Sequence, residues 1–140
     1  MIDENNDPVI IDFGLSKDSS DPCMVLRQFV GSKMYMAPEI VDCDQHSFPC
    51  DMWSVGIMLY NMLSGSYPFN FRNLDKEIVS TPVLFLGPKW SEISHEAKHL
   101  ISKLLEKDQY NRINAKQALD HPWFKKYPPK KHTSEAENKA

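Results

Sequence analysis

The sequence contains few cysteines, and none of them forms the closely spaced pairs found in zinc knuckles. Only Cys23, Cys43 and Cys50 occur in 140 residues, and no two of them are separated by just two residues. Disulfide frameworks and zinc sites need more thiols, or thiols at closer spacing. We therefore expect three reduced thiols in a cytoplasmic protein.

The sequence also lacks a surplus of charge and a long apolar run. Sixteen lysines and arginines oppose 19 aspartates and glutamates, so the overall basic excess typical of nucleic-acid-binding proteins is missing. The longest nearly apolar run, residues 55–63, is about half as long as a bilayer span. Residues 1–4 do not show the basic and apolar segments of a secretory signal. We expect neither a nucleic acid nor a membrane among the partners.

What is present has the composition of one ordinary globular domain, with 41% apolar and 25% charged residues. Near the start, Val9, Ile10 and Ile11 form a short β-branched run, which predicts a buried strand. Residues 12–39 show no sustained helical or strand period. Because a long loop inside a domain is either functional or disordered, and this one carries aromatic and aliphatic side chains, we interpret it as functional.

Helical patterns dominate the rest of the chain. Residues 51–65 are apolar on nearly all sides, which predicts a helix surrounded by protein that ends at Gly65. Asn73 is placed to begin a short helix that continues to Ile78. Ser94 is a suitable cap for a further helix, whose apolar stripe has the spacing of one helical face and comprises Ala97, Leu100, Ile101, Leu104 and Leu105.

The C-terminal part is predicted to end in a short helix and a tail. Asn114 is a cap for a helix over residues 115–120, and Pro122 fixes its end. After Phe124, lysines and prolines give way to a polar end. This composition predicts a disordered tail over residues 125–140.

Four short motifs follow one another in order. They are D-F-G at 12–14, A-P-E at 37–39, D-M-W-S-V-G at 51–56, and Arg112 ahead of H-P-W-F at 121–124. A single match to three residues arises by chance about 2% of the time in such a chain, whereas the ordered set does not. The set resembles the C-terminal half of a eukaryotic serine/threonine protein kinase. This resemblance implies an α+β protein-kinase-like fold present in part: a mostly α-helical C-lobe over residues 1–124, lacking the N-lobe and the catalytic loop.

The resemblance implies that the first motif belongs to a nucleotide site. Asp12 matches the aspartate that holds Mg²⁺ against the phosphates of ATP, since a hard cation prefers carboxylate oxygen. Phe13 would pack against a helix of the small lobe, and Gly14 would let the backbone turn. ATP and Mg²⁺ are therefore the implied cofactors. The alternative for Asp12 is a plain turn-forming residue.

The second motif closes a loop that resembles the substrate-binding loop of the family, so a protein substrate is implied. Gly31 and Ser32, with Tyr35 three residues after Ser32, follow the serine/threonine-kinase pattern. By similarity, an apolar docking pocket would be lined by Phe29, Lys33 and Met36. Lys33 departs from the family, which usually has a small residue or proline at this position.

Further residues have structural roles by resemblance. Ala37 and Pro38 lead into Glu39, which would form a buried ion pair with Arg112; the alternative is two unrelated surface charges. Asp51 would accept backbone N–H groups of the catalytic loop at the start of the central helix. Trp53 and Gly56 complete that motif as structural residues.

The segment F-V-G-S at 29–32 and the H-P-W-F ending are most similar to the calcium/calmodulin-dependent group. No D-x-D-x-D-G loop occurs in the chain, so no calcium switch is encoded in it. Asn61 stands where strongly basophilic relatives carry a carboxylate.

A competing motif is H-E-x-x-H at 95–99, the pattern of zinc metalloproteases. At about 100° per residue, His95 and His99 point away from the apolar stripe of their helix. We therefore predict two exposed histidines and no zinc site.

The 140 residues hold no glycine-rich loop, H-R-D aspartate or second-metal asparagine that the resemblance would require for catalysis. We expect the complete form to phosphorylate protein serine and threonine, and this chain alone to be inactive. The helix over residues 51–65 would then expose an apolar face, which predicts self-association. The alternative is a non-catalytic binding module that uses the docking loop and residues 73–78 to compete for partners.

Overall fold

A computed structural model of the chain describes residues 1–16, 31–42 and 48–126, and the regular elements among them are helices. In chain order, the α-helices are α1 (Pro38–Val41), α2 (Pro49–Ser64), α3 (Leu74–Ser80), α4 (Pro88–Glu92), α5 (His95–Leu104), α6 (Ala115–Leu119) and α7 (Pro122–Lys126). Three 3₁₀ turns accompany them, at Phe13–Leu15, Lys33–Tyr35 and Phe71–Asn73. No strand occurs in these three ranges. The predicted mostly α-helical character is therefore confirmed for the described residues.

Helix α2 is the predicted central helix, with slightly different bounds. It begins two residues earlier than predicted because Pro49 suits the first turn, where no intrahelical N–H partner is needed. It ends before Gly65, whose φ of 71° is left-handed and whose N–H donates to the carbonyl of Asn61 at 2.7 Å. The predicted stop at this glycine is confirmed.

The hydrophobic core is built around one face of α2. Trp53 and Ile57 are fully buried on this face, where the largest buried cluster also contains Tyr60, Phe69, Ile78, Trp90, Ile101 and Leu105. The opposite face carries Val55, Met58 and Met62, which are 40%, 45% and 80% exposed among the described residues. The prediction that protein surrounds α2 on all sides is therefore not met within the described part of the chain. The exposed apolar face that we also expected for this helix is present.

Helices α2 and α5 approach each other closely at Gly56. A Cβ atom on Gly56 would lie 2.7 Å from Cδ2 of Leu105 and 2.9 Å from Cβ of Leu104. These distances are below normal contact, so only glycine fits there. The predicted apolar stripe of α5 supplies the contact surface, and Ser94 caps the helix by accepting the N–H of Ala97 at 3.2 Å.

Two of the shorter helices begin directly after the residues predicted to start them. Asn73 immediately precedes α3 without a side-chain cap hydrogen bond, and α3 continues to Ser80, two residues beyond its predicted end. At α6, the Asn114 side chain accepts the N–H of Gln117 while the Gln117 side chain accepts the N–H of Asn114, both at 2.9 Å. Pro122 begins α7, which continues to Lys126. The first two residues of the predicted tail are thus helical, and residues 127–140 lie outside the described residues.

The buried strand predicted at residues 9–11 is wrong. Val9, Ile10 and Ile11 are 42%, 83% and 51% exposed and form no strand. Within the described residues, the only bridge in this region joins Ile2 to Pro8 as an isolated antiparallel contact. A β-branched run needs a pairing strand and a covering layer to be buried, and the described part of the chain supplies neither. None of the described helices is long and apolar enough to cross a membrane.

Candidate functional site

Residues 31–42, which we call the anchored loop, bring together most of the residues assigned to substrate binding by resemblance. Gly31 has a φ of 105°, and the 3₁₀ turn at Lys33–Tyr35 leads into α1. Gly31, Ser32 and Lys33 are exposed, whereas the segment that follows is buried and comprises Met36, Ala37, Pro38 and Glu39. Met36 is only 3% exposed, so it is part of the protein interior. Phe29 lies outside the described residues.

The predicted ion pair between Glu39 and Arg112 is present and buried. Nη1 of Arg112 donates to Oε1 of Glu39 at 2.7 Å, and Nη2 donates to Oε2 at 2.9 Å, which makes the pair bidentate. The side chain of Glu39 is 5% exposed and that of Arg112 is 0% exposed, and the two residues lie 73 positions apart in the sequence. The pair therefore joins the anchored loop to the segment between α5 and α6.

Arg112 also donates to three backbone carbonyls. Its Nε donates to Glu106 at 2.9 Å, Nη1 to Pro49 at 2.9 Å and Nη2 to Lys107 at 3.4 Å. A guanidinium has five N–H donors, so every one of them has an acceptor. The group also lies over the ring of Trp53, with Cζ 5.2 Å from the ring centroid. A buried charge that is fully paired and hydrogen-bonded holds its neighbours in one arrangement.

Two hydroxyl contacts fix the middle of the anchored loop. Oγ of Ser54, on α2, donates to the carbonyl of Tyr35 at 2.9 Å. The hydroxyls of Tyr35 and Tyr67 are 3.2 Å apart, and their rings meet edge to face. The hydrogen bond to Tyr67 and partial burial both raise the pKa of Tyr35 above its ordinary value. The anchored loop is thus held by Ser54 on α2 and by Tyr67 in the segment that follows α2.

Lys33 does not contribute an apolar surface to the loop. Its Nζ lies 3.0 and 3.1 Å from the two carboxylate oxygens of Asp75, on α3. Both side chains are about half exposed, at 50% and 56%. The lysine that departs from the family pattern therefore links the anchored loop to α3 through an ion pair.

Lys107 is a further positioning residue that the sequence did not reveal. Its Nζ donates to the carbonyls of Ile78 and Glu77, at the end of α3. It also lies 4.3 Å from the ring centroid of Phe69 and 5.0 Å from that of Trp53. Burial lowers the pKa of Lys107 to about 8. This lysine connects α3 to the aromatic core beneath the Glu39–Arg112 pair.

The D-F-G segment lies at the surface. Asp12 has a left-handed backbone, with a φ of 62°, and its Oδ1 accepts the N–H of Gly14 at 3.3 Å. Phe13 is 68% exposed. The exposed carboxylate of Asp12 is accessible to a ligand.

Asp51 is exposed in the first turn of α2, where its carboxylate lies 3.8 Å from Sγ of Cys50. Burial and the neighbouring Asp51 carboxylate raise the pKa of the free Cys50 thiol to about 11. That thiol is therefore protonated at neutral pH. Cys23 and Cys43 lie outside the described residues.

The histidines of the H-E-x-x-H motif are exposed, as predicted. The described residues contain no cluster of three or more side chains suited to hold a metal ion. Sequence reasoning missed the partner of His99: its Nδ1 lies 2.8 Å from Nε2 of the buried His121. This contact joins α5 to the start of α7.

Comparison with known proteins supplies the family. The protein kinase domain model matches residues 1–124. The chain is 41% identical over 122 residues to calcium-dependent protein kinase 3 of Plasmodium berghei, covering 84% of this chain and 22% of that protein. It is 43% identical to myosin light chain kinase family member 4 of Homo sapiens, covering 82% and 30% of the two proteins. It is also 37% identical to a calcium/calmodulin-dependent protein kinase of Metarhizium anisopliae, covering 87% and 33%.

The chain belongs to the protein kinase domain family. Its relatives are serine/threonine kinases of the calcium/calmodulin-dependent and myosin light chain kinase type, which confirms the resemblance read from the motifs. The chain spans less than a third of the P. berghei and human relatives and a third of the fungal one.

Several residues of the site had no signal in the sequence. Tyr67, Asp75 and Lys107 contact partners 30 to 42 positions away. Their residue types are common on surfaces and in loops, so no short pattern marks them. Only the fold brings Tyr67 and Asp75 to the anchored loop and Lys107 to the end of α3.

Proposed function

We propose that residues 1–124 form the C-terminal-lobe part of a serine/threonine protein kinase, which in its complete form transfers the γ-phosphoryl group of ATP to protein serine and threonine. In this proposal the anchored loop positions the substrate segment, and Ser32 and Tyr35 follow the serine/threonine pattern. The bidentate pair between Glu39 and Arg112 is the observation that carries the proposal.

A rigid loop suits this chemistry because phosphoryl transfer depends mainly on positioning and electrostatics. A displacement of about 1 Å at a substrate-positioning element can reduce the rate a hundredfold. The anchored loop is held at Tyr35 by α2 and at Glu39 by Arg112. These contacts support a loop that keeps its place when a peptide binds.

Asp12 fits the role of a Mg²⁺ ligand. Mg²⁺ is commonly held by one or two carboxylates together with water and substrate phosphates. Asp12 offers an exposed carboxylate, of which Oδ1 already accepts the Gly14 N–H and is thereby oriented. When bound, Mg²⁺ neutralises the charge that develops on the phosphates. Phe13 and Gly14 belong to the same cofactor-binding segment in this proposal.

We further propose that the 140-residue chain by itself has no measurable kinase activity. The general base of a kinase alone contributes about 10²–10⁴ to the rate, and no H-R-D motif is present in this sequence to supply it. Transfer of radiolabelled phosphate from ATP to a serine- and threonine-containing peptide library tests this. Transfer above the level of the matched Asp12→Ala variant would contradict the proposal of inactivity.

The alternative is a non-catalytic binding module that competes for kinase substrates or partners. The ion pair between Lys33 and Asp75 favours it, since it joins the docking loop to α3 on one surface. The nucleotide sequence upstream of Met1 separates the two functions. An in-frame glycine-rich loop, strand lysine and H-R-D-x-x-x-x-N motif would support the kinase, and an in-frame stop codon would support the module.

If the upstream motifs are present, the complete protein is the form to assay. We expect it to transfer phosphate to serine and threonine peptides, and we expect the Asp12→Ala variant to lose this transfer. Equal transfer by the two forms, or transfer to tyrosine peptides only, would refute the proposed function.

A further inference from the structure

A groove lies where the anchored loop meets the start of α3. It has a volume of about 490 Å³ and is open to solvent on one side. Its lining includes Lys33 from the anchored loop and, from the segment at 71–76, Phe71, Arg72, Leu74, Asp75 and Lys76. The groove therefore joins two segments that are far apart in the sequence.

The groove is positively charged on a chain that is negative overall. Among the described residues that line it, Lys33, Arg72 and Lys76 are cationic, and Asp75 is the only carboxylate. Both oxygens of Asp75 already contact Lys33. Arg72 and Lys76 are exposed and form no ion pair within the described part of the chain. The whole chain has a net charge of −3, so this local excess of positive charge is not a general property of its surface.

The groove also offers a fixed apolar surface. Phe71 is 57% exposed, and its ring packs edge to face against Tyr67 with the centroids 5.6 Å apart. Its 3₁₀ turn is capped by Asn70, whose side chain accepts the N–H of Arg72 at 3.0 Å. Because ring and turn are both held, little conformational entropy is lost when a ligand packs against Phe71.

We propose that this groove binds an acidic segment of a partner protein, with one apolar side chain of that segment packed against Phe71. The carboxylates of the segment pair with Arg72 and Lys76, and Lys33 lies within the same groove. The inference rests on the proposed function in assigning the groove to substrate docking. Its test measures binding without ATP, so its failure is distinguishable from a failure of kinase activity.

The probe is a fluorescein-labelled peptide with one phenylalanine between two pairs of glutamates, and the readout is fluorescence anisotropy of the 140-residue chain. We expect saturable binding that weakens as salt is raised, because exposed charges are screened. We expect the Arg72→Glu/Lys76→Glu variant to bind about tenfold more weakly, since the loss of two exposed ion pairs raises the dissociation constant by roughly this factor. The matched control, Lys103→Glu/Lys116→Glu, reverses two exposed lysines of α5 and α6 outside the groove.

A second variant tests the groove in the opposite direction. Asp75→Asn removes the groove's carboxylate, so we expect about threefold tighter binding of the acidic peptide. Replacing the phenylalanine of the peptide by alanine should weaken binding, and replacing its glutamates by lysines should abolish it. The proposal is overturned if both double variants bind alike, if Asp75→Asn binds more weakly, or if the chain does not bind the peptide. Binding of a short labelled oligonucleotide as tightly as the peptide would overturn it as well, because the groove would then recognise charge alone.

Discussion

Separating Glu39 from Arg112 should destabilise the chain far more than breaking an exposed ion pair. The perturbation is Glu39→Leu, which leaves two N–H groups of a guanidinium without acceptors in a site where its side chain is 0% exposed. Removing one partner of a buried pair typically costs about 3–5 kcal/mol. Since domains of this size are stable by about 5–15 kcal/mol, the variant should lose a large part of its stability.

The reciprocal variant should cost still more. Arg112→Met leaves the buried Glu39 carboxylate unpaired and also removes the donors to the carbonyls of Glu106, Pro49 and Lys107. Each unsatisfied buried group adds about 1–3 kcal/mol. The double variant should cost less than the sum of the two single variants, because neither charge then remains buried alone.

Urea unfolding followed by tryptophan fluorescence measures these differences, since Trp53 lies directly beneath the guanidinium. Asp75→Asn is the matched control: its ion pair with Lys33 is about half exposed, and such pairs contribute about 0–1 kcal/mol. A Glu39→Leu variant no less stable than Asp75→Asn, or a double variant whose cost equals the sum, would refute the reasoning.

Three further predictions concern packing, pH and association. Gly56→Ala should destabilise the chain by about 1–3 kcal/mol, because the new Cβ would lie 2.7 Å from Leu105; thermal unfolding should show this loss, and an unchanged Tm would contradict the close contact. Burial and the neighbouring His99 lower the pKa of His121, so the free energy of unfolding should fall as the pH drops below about 6.5, where the unfolded chain binds a proton that folded His121 resists. His121→Asn should remove this pH dependence and the exposed His95→Asn should retain it, whereas equal profiles would refute the assignment. The exposed apolar face of α2, which carries Val55, Met58 and Met62, should promote self-association. The triple variant with serine at these three positions should therefore sediment as a smaller species than the wild type. Equal sedimentation would show that this face is not the site of self-association.

The helices show how far local sequence patterns reach. The cap at Ser94, the stop at Gly65 and the cap at Asn114 were predicted from residues within a few positions of each other, and the structure contains them. Capping and periodicity are local, so a sequence can specify them without knowledge of the fold. The wrong prediction of a strand at residues 9–11 shows the limit of such local patterns. Its pattern was local, whereas a strand depends on a partner from elsewhere in the chain.

Some residues of the candidate site were predicted from the sequence, and others were not. The pairing of Glu39 with Arg112 came from the family resemblance, and the structure contains it with five satisfied donors. Lys107 was not found, because a lysine in a polar segment carries no mark that it will lie over Phe69 and Trp53. His121 was identified only as part of the H-P-W-F motif, because its contact partner His99 lies 22 positions away in the sequence.

The sequence by itself determined the family, four of the seven α-helices in the described residues with the caps at Ser94 and Asn114, and the residue types available for nucleotide and substrate binding. These properties depend on ordered motifs and on spacings of a few residues. Only the tertiary structure decided that Lys33 pairs with Asp75, that Met36 is buried, and that a positively charged groove lies between the anchored loop and α3. The ion pair joins side chains 42 positions apart, the groove joins Lys33 to residues 71–76, and Met36 is buried only once the chain has folded around it, so the fold as a whole decides all three.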